Sequence, residues 1–224
     1  MFTVNEMPTQ VPQDVIELLE KAEVATIGHF LYSGFMNSSI RPLIRGRRIA
    51  GTAVTLRLPH ADSTLLVYAA GIARPGDIIV VDRSGDTKYA CWGGALTLAM
   101  KLAGVKAGII DGPATDLREI EEHDLPMWCS GIAPITTRVL GLEGAMNVPV
   151  TVGGQIVNPG DAVLADEQGV VVLSPAEAKA AAERAIGMQT AEVETLKRLR
   201  NGEKFPDIHG VTEIVRANLR AASD

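Results

Sequence analysis

Apolar residues in the first part of the chain recur at helical spacing, and farther along they gather into short runs. Val15, Leu18, Leu19 and Ala22 repeat on one face, with Glu17, Glu20 and Lys21 on the other. Pro12 suits a first helical position, so the spacing predicts one helix over residues 12–31. Residues 33–48 carry Gly34, Asn37, Ser38, Ser39 and Pro42 and read as loop. The pattern then predicts a strand over 49–58, a helix over 64–72 ended by Pro75-Gly76, and a buried strand over 78–81. A helix over 94–102 follows, with Gly104 as its C-terminal cap, then a short apolar strand over 107–110 and a helix from Asp116 to His123. Residues 148–152, 155–157, 162–165 and 170–173 read as successive short strands. Pro175 opens a long Ala- and Glu-rich helix to about Arg200, and a last helix covers 210–221.

One segment echoes another. Pro75-Gly76-Asp77 through Asp82 to Gly85 and Pro159-Gly160-Asp161 through Asp166 to Gly169 both read P-G-D-x-x-x-x-D-x-x-G. Pro presets one turn dihedral, Gly takes the positive φ, and a strand follows. The echo predicts two sheet regions built alike. Helices alternate with strands early, but the segment before Pro175 is mostly strand, which disfavours a plain doubly wound sheet. A layered β/β/α body with flanking helices is expected instead. Residues 1–175 form that body with the N-terminal helix, and residues 176–224 form a helical extension that packs on the body or on a neighbouring subunit.

Composition narrows the function classes. Hydrophobic residues make up 46% of 224, enough for a large core, while aromatics are only 4%. The net charge of −6 gives no general attraction for phosphate backbones, so no nucleic-acid partner is expected. The cluster Arg41, Arg45, Arg47 and Arg48 reads as a solvated turn leading into a strand. Cys91 and Cys129 show no metal spacing. No secretory signal is seen and no apolar run approaches a span of ~20 residues, so a cytoplasmic protein with reduced thiols and no membrane partner is expected.

The candidate chemistry centres on Trp92-Gly93-Gly94-Ala95-Leu96. Two glycines open a helix whose first N–H groups have no carbonyl in the helix, an arrangement that binds anions. Gly93, Gly94, Ala95 and Leu96 are the candidate substrate-binding residues. Downstream, Asp111-Gly112-Pro113-Ala114-Thr115-Asp116 leaves a buried strand for a helix, where α/β folds commonly hold ligands. Asp116 is a candidate ligand for a hard cation. The residues alone favour a helix cap instead, with Asp116 forming a capping box with Glu119. Asp62 or Ser63 reads as a helix N-cap, and Asp82 and Asp166 as turn closures. His29, His123 and His209 show no ligand spacing.

Taken in order, Ile40-Arg41-Pro42-Leu43, Gly51-Thr52-Ala53-Val54-Thr55, Pro75-Gly76-Asp77, Ala90-Cys91-Trp92-Gly93, Asp111-Gly112, Asp116, Asn147-Val148-Pro149-Val150, Gly153-Gly154, Pro159-Gly160-Asp161 and Asp166-Glu167-Gln168-Gly169-Val170 resemble the RraA-like family. That family includes 4-hydroxy-4-methyl-2-oxoglutarate/4-carboxy-4-hydroxy-2-oxoadipate aldolases and the regulator of ribonuclease activity A. The resemblance implies a swivelling-type β/β/α fold, assembled as a homotrimer or homohexamer with sites between subunits. For the aldolases it implies Mg²⁺ or Mn²⁺ at Asp116, with a small 2-oxo acid held by the Gly93–Leu96 amides. The chain departs from that pattern at two places. The aldolases carry an Asp where this chain has Gly94 and an Arg where it has Thr115. A different substrate, or lost chemistry, is therefore expected.

Thr115, Asp116 and Arg118 are the candidate catalytic residues, with Arg118 or Arg138 as substitutes for the missing arginine; Lys88 and Asp86 read as turn residues. The leading expectation is a divalent-metal-dependent lyase of the aldolase or decarboxylase type. The alternative is a non-catalytic regulator that binds a partner protein.

Overall fold

The computed structural model describes residues 1–222. In chain order its elements are β1 (Phe2–Val4), α1 (Gln13–Leu19), α2 (Val24–Ile27), β2 (Arg41–Pro42), β3 (Ile49–Arg57), α3 (Thr64–Ala70), β4 (Asp77–Asp82), α4 (Gly94–Leu102), β5 (Ala107–Ala114), α5 (Leu117–His123) and β6 (Met127–Ile132). They continue with β7 (Gly144–Met146), β8 (Val150–Val152), β9 (Gln155–Val157), β10 (Ala162–Asp166), β11 (Gly169–Leu173), α6 (Pro175–Arg200), α7 (Phe205–Ile208) and α8 (Val211–Ala221).

Strands β3, β4, β5 and β6 lie parallel and in sequence order, each joined to the next by one of α3, α4 and α5. Period-two alternation divides their side chains between two faces. Val54, Ile79, Val81, Ile110, Met127 and Cys129 face one core with Leu65 and Leu66 of α3, Met100 of α4 and Ile120 of α5. Ala53, Ile78, Val80, Ile109 and Trp128 face another, made with Val150, Val152, Val157, Val163 and Val170 of β8 to β11. Helices thus cover one face and strands the other, which is the expected α/β class with β/β/α layering. The burial of β3 follows from its place: eight of its nine residues, Ile49 to Leu56, are buried, with β4 paired along Thr52–Arg57 on one side and β10 along Ile49–Thr52 and β7 at Leu56 and Arg57 on the other.

The echoed segments use the same hydrogen bonds twice. Asp77 accepts the N–H of Arg74 at 2.8 Å, and Asp161 accepts that of Asn158 at 2.8 Å. At the other ends, Asp82 accepts from Ser84 at 2.6 Å and Asp166 from Gln168 at 2.8 Å. The two strands do not build separate sheet regions. They flank β3 in one nine-stranded sheet, β4 parallel to it and β10 antiparallel.

The single helix expected over 12–31 is two short ones. The break falls at Glu20–Glu23, where the Val24 N–H turns to the buried Asp166 carboxylate (3.0 Å) and the Glu23 N–H to the Gln189 side chain (3.0 Å). Long-range acceptors outcompeted the helical i–4 carbonyls. Strands β1, β2, β6 and β7 lie outside the predicted set, and β5 runs on to Ala114. The first turns of α6 bury Ala178, Ala181, Ala182 and Ala185 in a third core with α1 and α2, whereas α8 buries nothing.

Asp62, only 1% exposed, ties the start of α3 to the 138–143 loop. It accepts hydrogen bonds from Thr64 N (2.9 Å), Leu140 N (3.2 Å) and Leu142 N (2.7 Å). Burial pushes this carboxyl up, but the Thr64 hydroxyl and the Leu142, Thr64 and Leu140 amides outweigh it and hold it well below the usual carboxylate range. Replacing Asp62 with Asn is expected to cost about 2 kcal/mol at neutral pH, the scale of a charge-assisted hydrogen bond. Because the folded-state value is depressed, that contribution is complete above the unfolded value of roughly 3.9 and is lost as pH falls below it. Denaturant melts of both proteins should differ at pH 7 and converge in strong acid.

Candidate functional site

The C-terminal ends of β4, β5 and β6 lead into the loops that enclose a shallow cavity of about 200 Å³. It is lined by Gly93, Gly94, Ala95 and Leu96 at the start of α4, by Thr115 and Asp116 after β5, and by Thr136 and Thr137 after β6. Ligands in open α/β sheets bind at such strand ends.

The floor is fixed by a buried tryptophan. Trp92 is fully buried, and its indole N–H donates to Thr97 Oγ1 at 3.0 Å, while that hydroxyl donates to Gly93 O at 2.9 Å. The Trp92 carbonyl accepts the Thr115 N–H at 2.9 Å, which stitches the two candidate loops together. Asp116 then adopts a left-handed conformation, φ 54° and ψ 45°. That turn swings its carboxylate back toward α4, where Oδ2 accepts the Gly94 N–H at 3.0 Å.

Helix capping fails for Asp116. It occupies the N-cap position of α5 but makes no side-chain capping bond there, and no capping box with Glu119 forms. The amide cradle is also smaller than expected, since the Gly94 N–H is already donated. The first-turn amides of Ala95 and Leu96 remain without a carbonyl within the helix.

Gly94 is required by close approach, and Gly93 by the present position of the Asp116 carboxylate. A Cβ on Gly93 would lie 2.5 Å from Asp116 Oδ2. A Cβ on Gly94 would lie 1.6 Å from Glu119 Oε2 and 2.7 Å from Glu119 Cβ. Two carboxylates, from Asp116 and Glu119, therefore press against two consecutive glycines. Glu119 had no role beyond capping in the sequence pattern; its signal was the missing side chain at position 94.

The other candidates are dispersed. Arg118 is exposed on α5 and is not in the cavity lining. Arg138 contributes backbone: its carbonyl accepts the Ser63 N–H at 2.9 Å and its N–H donates to Ala61 O at 2.8 Å. Lys88 Nζ lies 5.2 Å over the Tyr89 ring, and Asp86 pairs with the fully buried Arg83 at 2.9 Å. No lysine or arginine lines the cavity. A larger cavity of about 660 Å³ beside Arg41 and Arg45 lies along β11 and the 35–46 loop. Size alone favours it, but it lies away from the parallel strand ends and holds none of the candidate residues, so the smaller cavity is the better candidate site.

The donor set suits one kind of metal. Among the described residues no three His, Cys, Asp or Glu side chains converge as a cage. A hydrated Mg²⁺ or Mn²⁺ needs only one or two carboxylates with waters completing the shell. The Asp116 carboxylate, with one oxygen 3.3 Å from the Thr115 hydroxyl, offers hard oxygen donors in the lining, and the exposed Glu119 carboxylate reaches Gly94 from outside it, with no competing cation in the lining.

Comparison with known proteins relates the chain to one family. The sequence profile described as RraA-like (Aldolase/RraA) matches residues 21–172. A Halalkalibacterium halodurans protein provisionally named a 4-hydroxy-4-methyl-2-oxoglutarate aldolase is 31% identical over 138 residues, 62% of this chain and 65% of that protein, slightly under two thirds of its length. A crystal structure from Streptomyces coelicolor, described as an unusual member of the RNase ES inhibitor RraA protein family, superposes with a TM-score of 0.72 at 26% identity, covering 84% of this chain and 98% of that one. An uncharacterised Pseudomonas syringae protein shares the fold with a TM-score of 0.78 at 22% identity, over 92% of this chain and 98% of its own. Among the described residues no helix is long and apolar enough to cross a membrane.

Two measurements probe the geometry. Gly94→Ala is expected to lower stability by about 1–2 kcal/mol, because overpacking outweighs the gain of removing a helical glycine. Equal or higher stability in denaturant melts would show that α4 and α5 separate easily. Cys91 sits in the cavity wall, but burial pushes its thiol up to about 12 despite the nearby Arg83. It should stay unmodified by iodoacetamide at pH 8 in the folded protein and react once urea is added, read by mass spectrometry.

Proposed function

The chain belongs to the RraA-like family, and from that premise we propose a divalent-cation-dependent lyase that breaks a C–C bond in a small 2-oxo acid. The observation that carries this reading is the meeting of Asp116 with the glycine-opened start of α4 across one cavity. Asp116 would hold Mg²⁺ or Mn²⁺, which when bound supplies electrophilic polarisation of a keto oxygen. The amides of Ala95 and Leu96, at the positive end of the α4 dipole, receive a substrate carboxylate. Thr115 donates a neutral hydrogen bond where the aldolase pattern has arginine. Arg118, exposed and without a salt-bridge partner among the described residues, is the cation that closes over bound acid.

The exchange of Arg for Thr at position 115 bears on the substrate. A charge-assisted contact contributes roughly 1.5–3 kcal/mol, and a hydroxyl contributes less. The cavity of about 200 Å³ therefore favours a compact monoacid or diacid over the bulkier substrates of the named aldolases. We further propose that residues 1–175 form the family body and 176–224 its helical extension. The protein works as a homotrimer or homohexamer, supported by the exposed apolar face of α8, where Ile214 is 61% exposed.

A second reading has one observation in its favour. The cavity lining holds no lysine or arginine to receive an anion, which suits a regulator that binds a partner protein and performs no turnover. Pyruvate release from oxaloacetate and from 4-hydroxy-2-oxo acids, followed through a coupled dehydrogenase, separates the two. Mg²⁺-dependent turnover is expected, falling at least about 100-fold in Asp116→Ala. Equal rates in both proteins, with and without the cation, would remove the lyase reading and leave the regulator.

A further inference from the structure

Resting on the cation site just proposed, we infer that Glu119 supplies from α5 the acid that this chain lacks at position 94. The two positions compete for one volume. A Cβ at position 94 would start 1.6 Å from Glu119 Oε2, so a side chain there and the present Glu119 conformation exclude each other. Gly94 lines the cavity and gives its N–H to Asp116 Oδ2 at 3.0 Å. The Glu119 carboxylate is thereby brought to the residue that anchors Asp116, although it departs from a different helix.

The arrangement presents two acids and no basic partner. Asp116 and Glu119 meet adjacent glycines, and no lysine or arginine lines the cavity. Glu119 makes no ion pair among the salt bridges of the described residues, although Arg118 is its chain neighbour. A hydrated divalent ion held by Asp116 presents water protons toward a second acid, and outer carboxylates of this kind orient that shell. Glu119 is a positioning residue in this scheme: it touches the hydration shell and not the substrate. The sequence change at position 94 is then a relocation of the acid by one helix, not its loss.

Titration calorimetry of Mn²⁺ into the full chain tests this directly. Wild type, Asp116→Asn and Glu119→Gln are compared, with circular dichroism melts to establish that each is folded. Removing an outer-shell partner typically costs 10–100-fold in metal affinity. Glu119→Gln should therefore bind Mn²⁺ about 10-fold more weakly or worse at an unchanged melting temperature, and Asp116→Asn should bind it more weakly still. Unchanged affinity in Glu119→Gln alongside a loss in Asp116→Asn would overturn the role of Glu119 and leave the cation site standing. No Mn²⁺ binding by wild type, or equal binding by all three proteins, would overturn the site itself and this inference with it. Should Glu119→Gln lose its fold, Glu119→Ala takes its place, with the same two outcomes.

Discussion

The whole site depends on one hydrogen bond, from the Gly94 N–H to Asp116 Oδ2 at 3.0 Å. It joins the first turn of α4 to the turn that precedes α5, two segments twenty-two residues apart in sequence. The bond forms because one partner accepts an uncommon backbone and the other has no side chain in the way. Asp116 takes a left-handed conformation that most residues avoid, and positions 93 and 94 carry no Cβ to block the approach. Trp92 holds both partners from below through Thr97 and the Thr115 amide. A buried indole with its N–H satisfied is a rigid platform, so the register of the two loops is set by the core.

That arrangement explains which parts of the molecule could be read from sequence. Helix α4 matched its predicted limits because Gly93 and Gly104 mark both ends, and α6 because Pro175 opens it. The repeated P-G-D segments were legible because each turn is closed by its own aspartate, three residues from the N–H it accepts. Local chemistry writes local structure. Strands β1 and β7 were invisible because Phe2–Val4 pairs with Gly144–Met146, and three-residue strands have no periodicity to find. The break in the first helix was illegible for the same reason: the acceptor that ends it, Asp166, lies 142 residues away.

The candidate site divides along the same line. Gly93, Gly94, Thr115 and Asp116 were recognisable because a glycine pair before a helix and an acid after a buried strand are local signatures. What Asp116 does was not recognisable. A helix-capping acid and a carboxylate reaching across to another helix look alike in sequence, since both need an acid at that position. Arg83 marks the limit of such reading. Its charge suggests surface, yet it is fully buried, donating to Leu58 O at 2.9 Å and to Asp86 at 2.9 Å. Those bonds hold the 83–91 loop that delivers Trp92, so a residue with no apparent role supports the floor of the cavity.

Charge balance links the two departures, at Gly94 and Thr115, that the resemblance to the aldolases implies. Had Gly94 alone replaced an acid, the site would have lost negative charge; had Thr115 alone replaced an arginine, it would have lost positive charge. Together they keep the formal charge and remove two long side chains. Glu119, exposed on α5, reaches the volume beside Gly94. A divalent ion at Asp116 would then meet a second carboxylate nearby and no lysine or arginine in the cavity lining. An anionic substrate alone meets the opposite trend, because nothing in the lining but the α4 amides attracts it. Under the proposed reading, a bound cation would therefore favour the acid and a bound acid the cation, each lowering the cost of the other.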